Sequence, residues 1–192
     1  NDTNNNGIAD IGDEIQVKGT KENFYVISTG VGSTVNALAK YNLNVGNNKI
    51  DGIEGIQNKN SIGWNSAGKS PYAGVIAFSN ISGWEYKNNN DIDVQLYDGP
   101  VKTAINNYKN ILVNITNIRL ITKRELENLG CDSSINFCSN APSWIYSTTY
   151  WVGTSLSSNA NYVWDVASNS GFGSNPFDYD EHIGVRPVIT IS

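Results

Sequence analysis

The sequence predicts an α+β domain, and three observations carry that prediction. The first forty residues alternate bulky β-formers with Gly-rich turns. An amphipathic stripe and a capped short helix follow mid-chain, and strand-like segments close the chain. At 192 residues the length suits one such domain. Within it we expect an N-terminal β-meander, two helices, much irregular loop and a closing antiparallel sheet. Residues 1–13 read as a polar leader and 14–192 as the folded unit.

In the meander, Glu14–Lys18 and Asn23–Ser28 flank Gly19-Thr20-Lys21-Glu22, a good hairpin connection. Phe24, Tyr25, Val26 and Ile27 are bulky, which suits a strand buried on both faces. Gly30-Val-Gly32-Ser turns the chain into a third strand, Thr34–Tyr41. Residues 42–97 are rich in Asn, Gly and Ser and show no period, so they are expected to be irregular. Val101, Ala104, Ile105, Tyr108 and Leu112 recur at helical spacing behind Asp98 and Pro100. Thr122-Lys-Arg-Glu125 is a capping box, Leu126 and Leu129 face inward, and Gly130 is the stop. Ile118–Ile121 is a strand between the helices. Trp144–Tyr146 with Tyr150–Thr154, then Tyr162–Ala167, then Val185–Ile191 are the closing strands.

Composition excludes several function classes. Charged residues make up 16% and the net charge is −5, from 13 basic and 18 acidic side chains, so nucleic acid is not an expected partner. No apolar run reaches the roughly 20 residues that cross a bilayer. Met is absent, position 1 included, so any signal or membrane anchor is expected upstream. The lone His182 cannot build a multi-histidine metal site or a two-imidazole relay. No Gly-x-Ser-x-Gly elbow is present, which makes an enzyme the least favoured class. Cys131 and Cys138 are close together in a polar segment after a helix and most simply form a local disulfide; two free thiols in a cytosolic protein are the alternative. An oxidised pair would place the chain outside the cytoplasm.

Two segments suggest binding. In the leader, Asp2, Asn4, Asn6, Asp10 and Asp13 fall where a calcium loop has its oxygen ligands, Gly7 stands at the sharp turn, and Ile8 would supply its backbone carbonyl. Asn replaces Asp at two positions and the last ligand is Asp13 rather than Glu, so a plain polar leader stays open beside Ca2+ as cofactor. The second segment, Ser157 to His182, mixes rigid aromatics with adaptable polar groups, the composition of antibody loops. Its expected contact residues begin with Asn161, Tyr162, Asp165, Asn169 and Phe172. Phe177, Asp178, Tyr179 and His182 complete them. The competing reading is that an Asn-rich surface produces this composition everywhere, as it does in residues 42–97.

Several motifs follow one another along the chain: Gly12-Asp-Glu-Ile15, Phe24-Tyr-Val-Ile-Ser28, Leu38-Ala-Lys-Tyr-Asn-Leu43 and Arg119-Leu-Ile-Thr-Lys123. Glu125-Leu126, Leu129-Gly-Cys131, Ser143-Trp-Ile-Tyr-Ser147, Tyr150-Trp-Val-Gly153 and the terminal Gly184-Val-Arg-Pro187 follow. Together they resemble an uncharacterised family of secreted or surface-anchored domains of low-GC Gram-positive bacteria. The ending is similar to the close of the C-type-lectin-like fold in formylglycine-generating-enzyme relatives and retroelement-diversified variable proteins. The resemblance implies a C-type-lectin-like fold, with Arg186 on the closing strand as a structural residue. In those diversified relatives the variable face precedes that strand, and Asn, Ser, Tyr, Asp, His and Phe are what adenine mutagenesis of an Asn codon yields. The reactive cysteine pair of the oxidising relatives has no match here, nor has the Glu-Pro-Asn sugar triplet of the lectins. The expected function is therefore an extracellular, cell-surface adhesin or receptor-like domain for a protein or glycan ligand. The alternative is a structural subunit, such as a minor pilin whose hydrophobic helix lies upstream and which joins a pilus assembly.

Overall fold

The computed structural model describes residues 7–45, 51–60, 100–156, 159–176 and 183–192. β1 (Glu14–Gln16), β2 (Asn23–Thr29) and β3 (Val35–Ala39) form the expected meander. The β1–β2 turn places Gly19 at φ +81°, a left-handed conformation that glycine adopts without steric cost. Phe24, Val26 and Ile27 are all buried, so β2 does lie between two packed layers, and Tyr25 is half-buried.

Helix α1 (Pro100–Lys109) turns its apolar stripe inward: Val101, Ala104, Ile105 and Tyr108 are buried, as is Leu112 just beyond its end. Burial of one large aliphatic side chain stabilises by about 1.5–3 kcal/mol, so this face anchors the helix. β4 (Asn117–Leu120) leads into α2 (Lys123–Asn128), whose capping box forms as the sequence predicts. Thr122 Oγ1 accepts from the Glu125 amide at 3.2 Å, and Glu125 returns a carboxylate to the Thr122 amide at 2.9 Å. The same carboxylate accepts a bidentate pair from Arg119 at 2.8 and 2.6 Å. These donors outweigh the opposing effect of burial and hold the Glu125 carboxyl below its usual range. Gly130, at φ +108°, ends the helix where an added Cβ would meet the Asn140 carbonyl oxygen at 2.7 Å.

The later strands are β5 (Tyr150–Leu156), β6 (Asn159–Val166), β7 (Phe172–Pro176) and β8 (Pro187–Ile191). They do not form one closing sheet. β5, β6 and β7 make a three-stranded antiparallel sheet, whereas β8 enters the meander sheet between β3 and β4, in the order β1-β2-β3-β8-β4. The expected single closing sheet is thus two sheets, because β3 offers β8 an open edge and a register that buries both of its faces. Two further expectations change. Trp144–Tyr146 is a turn rather than a strand: the Ile145 amide bonds back to Pro142 O at 2.9 Å, and the Trp144 ring stacks on Tyr25 at 4.8 Å. β7 arises where the sequence suggested only loop. Of the stretch expected to be irregular, 46–50 and 61–97 lie outside the described residues; 51–60 forms turns tied by a Leu43–Gln57 bridge.

Two apolar layers result. One joins α1 to Phe24, Ala37, Trp151, Val163 and Ile189. The other joins α2 to Leu38, Tyr150, Val152, Trp164 and Phe172. Alternation along β3, along the first residues of β5 (Tyr150–Val152) and along β6 sends neighbouring apolar residues to different layers. A parallel bridge between Tyr150 and Gly184 ties the two sheets together, with the Trp151 amide on Gly184 O at 3.0 Å and the Gly184 amide on Thr149 O at 3.1 Å.

Candidate functional site

β-sheet register assembles the most developed polar site among the described residues. In the β5-β6-β7 sheet, Asp165 stands opposite Trp151 on one side and Gly173 on the other. Register partners share a face, so Val163, Asp165, Gly173 and Asn175 point together. Asn175 is the diagonal neighbour of Asp165, and its Nδ2 donates to Asp165 Oδ2 at 2.6 Å.

The turn from β6 to β7 shapes the adjoining wall. The Ala167 amide bonds to Gly171 O at 2.9 Å, the Ser170 amide to Ala167 O at 3.0 Å, and the Gly171 amide to Asn169 Oδ1 at 3.0 Å. The Ser168 amide reaches Thr149 Oγ1 at 3.1 Å, which fixes this turn against the entry to β5. Between these parts lies a cleft of about 380 Å³. Thr149, Ser168, Asn169 and Asn175 give it polar walls, Ala167 and Ile183 give it apolar ones, and Asp165 is its carboxylate.

Asp165 is 5% exposed. Burial pushes its carboxyl up to about 6, and the Asn175 donor offsets only part of that. Among the described residues the cleft lining contains no Lys, Arg or His. The arrangement can accept hydrogen bonds and positive charge: a carboxylate, two amides and two hydroxyls line one concave space.

The sequence-expected contact residues divide. Asp165 and Asn169 meet in the cleft. Tyr162 and Phe172 do not join them, because each is on the other face of the sheet by strand alternation. Phe172 is 1% exposed and packs on Trp164 with ring centroids 4.8 Å apart, so its expected place on an exposed face is corrected to a core role. Asn161 belongs to β6, and Phe177, Asp178, Tyr179 and His182 lie outside the described residues. Ala167, Ser168 and Asn175 fall inside the expected Ser157–His182 segment but outside its expected contacts, and Thr149 and Ile183 lie outside those contacts too, Thr149 outside the segment altogether and Ile183 just past its end. Only the β6–β7 register reveals Asn175, and only the Gly184 bridge brings Thr149 and Ile183 alongside.

Asp2, Asn4 and Asn6 of the leader lie outside the described residues. Ile8 is exposed, whereas Asp13 is buried, its Oδ2 accepting from the Asp10 amide at 2.9 Å and its backbone oxygen from the Val26 amide at 2.9 Å. Among the described residues, no three His, Cys, Asp or Glu side chains gather as a metal site. Cys131 and Cys138 form a disulfide. Arg186 is fully buried and donates to Ala39 O at 2.6 Å, Ile145 O at 3.1 Å and Lys40 O at 3.3 Å, with its guanidinium 5.1 Å from the centre of the Tyr150 ring. No protein-family model, curated protein or solved structure matches the chain.

Proposed function

We propose that this chain is an extracellular, surface-displayed ligand-binding domain of the adhesin or receptor kind, with the Asp165 cleft as its binding site. The observation that carries the reading is the buried Asp165 carboxylate, which opens on a cleft and has one amide donor and no cation among the described lining residues. A carboxylate in that setting is costly to the fold, and apolar residues would pack the same place at lower cost. The Cys131–Cys138 disulfide supports a location outside the reducing cytoplasm. A C-type-lectin-like fold is supported by the last strand lying beside β3 of the N-terminal meander and by the buried Arg186 of the Gly-Val-Arg-Pro close.

The test is binding of the purified chain to cultured cells and to glycan and protein arrays. Asp165→Asn and Asn169→Ala should each weaken binding at least tenfold while the circular dichroism spectrum is unchanged. Undiminished binding by both variants would remove the cleft from the reading. Undiminished binding together with normal incorporation into surface fibres would favour the structural-subunit alternative. Repeating the assay in millimolar calcium and in chelator tests the leader as a weak calcium loop of the extracellular range.

A further inference from the structure

We infer that the cleft takes a primary ammonium group, with Asp165 as its counter-ion; this rests on the reading of the cleft as a binding site. An ionised carboxylate has about four lone-pair sites, and Asp165 uses one, on Asn175. Buried to 5% exposure, with Asn175 as its one donor and no cation among the described lining residues, it is short of both donors and charge compensation. An ammonium supplies both, as a compact charge with three donors and no acceptor. The surrounding oxygens can take the remaining donors: Thr149 Oγ1, Ser168 Oγ and Asn175 Oδ1 all belong to lining residues.

Three features select among cations and against neutral ligands. Asn175 already takes one lone pair of Asp165 Oδ2, which leaves Oδ1 the less engaged oxygen; a point charge needs only that one, whereas a bidentate guanidinium fork would have to share Oδ2 with Asn175. Ala167 and Ile183 offer apolar surface to a methylene stem. Gly173, across from Asp165, has no heavy atom within 4 Å of where its Cβ would be, so space is open beside the carboxylate. A neutral sugar could satisfy lone pairs but would leave the buried charge uncompensated. The net charge of −5 favours the approach of cations from a distance.

The experiment is a titration of the intact 15N-labelled chain at neutral pH, followed by amide chemical shifts. The probes are Nα-acetyl-lysine amide, its Nε-acetylated neutral counterpart, Nα-acetyl-arginine amide, glucosamine and glucose. The lysine amide should shift the amides of Asp165, Asn169 and Asn175, bind at least tenfold tighter than its neutral counterpart, and bind tighter than the arginine amide. Asp165→Asn should weaken it at least tenfold. Gly173→Val, which keeps the charge but crowds it with a strand-favouring side chain, should weaken it several-fold. Comparing lysine amide with glucosamine distinguishes a protein from an amino-sugar source of the ammonium. Equal binding of the lysine amide to the parent and to Asp165→Asn would overturn the inference. So would cleft shifts with glucose but not with the lysine amide, and in that case the cleft would remain a binding site. If no probe moved those amides and Asp165→Asn bound cells as the parent does, the inference and the binding reading would fall together.

Discussion

Asp165 lowers the stability of the chain that carries it. Its carboxyl is pushed up to about 6 by burial, from an ordinary value of 3.8. Between those two values the folded chain holds a proton that the unfolded chain has released, so stability falls as pH rises through this window. Above it the cost is complete, at roughly 3 kcal/mol. Asp165→Asn keeps an acceptor for Asn175 and removes the charge. The variant should therefore melt about 5–10 °C above the parent at pH 7.5, with the gap closing below pH 4. Thermal denaturation across pH checks this. A variant that melts lower than the parent at pH 7.5 would mean that ionised Asp165 has a stabilising partner. The chemistry of this residue was legible in the sequence as part of a polar, aromatic-rich segment. Its separation from Tyr162 was legible too, since the two fall three positions apart in the expected strand Tyr162–Ala167 and alternation sends them to opposite faces; its separation from Phe172 was not, because β7 gave no strand period from which to assign a face.

The disulfide loop acts as an element rather than as a bond. Asp132 and Phe137 exchange backbone hydrogen bonds at 2.7 and 3.2 Å inside it. Outside it, the Cys138 amide donates to Ser170 O at 2.7 Å, and the Phe172 amide donates to Asn136 O at 2.9 Å. The loop thus docks on the β6–β7 turn that carries Ser168 and Asn169, linking the exit of α2 to the wall of the cleft. Replacing both cysteines by serine should cost about 2–3 kcal/mol. Amide exchange should quicken first at Phe172 and Ala167, before α1 or the meander responds. Unchanged exchange at those two amides would show that the turn holds its shape without the loop. The cysteine pairing was legible from spacing and context. What the loop packs against was not, because its partner strand β7 has Phe172 as its one strand former, followed by Gly, Ser, Asn and Pro.

Across the whole molecule, Arg186 ties the parts that topology leaves separate. It sits just before β8, and its three acceptors come from the end of β3 and from the turn at Ile145, ahead of the second sheet. Burial works against its charge and lowers its pKa, a cost that the Tyr150 ring and these carbonyls offset. Arg186→Ala would leave the buried carbonyls unpaired beside a cavity, at about 3 kcal/mol or more. Arg186→Lys should also destabilise, since an ammonium cannot span three acceptors in the guanidinium plane. Denaturant unfolding of both variants checks this; full stability of Arg186→Ala would return the residue to the list of ligand contacts.

By itself the sequence determined what local physics decides: the hairpin of β1 and β2, the apolar stripe of α1, the capping box of α2, the paired cysteines, and an apolar last strand with an Arg just ahead of it. Each rests on residues within a few positions of one another, where propensity, capping and periodicity act. Tertiary structure alone decided that β8 leaves the later strands to sit between β3 and β4, that the later strands form their own sheet, and that Thr149, Asp165, Asn175 and Ile183 share a cleft. Those outcomes depend on register and on burying two faces at once, and pairings between residues far apart in the chain leave no periodic mark in the sequence.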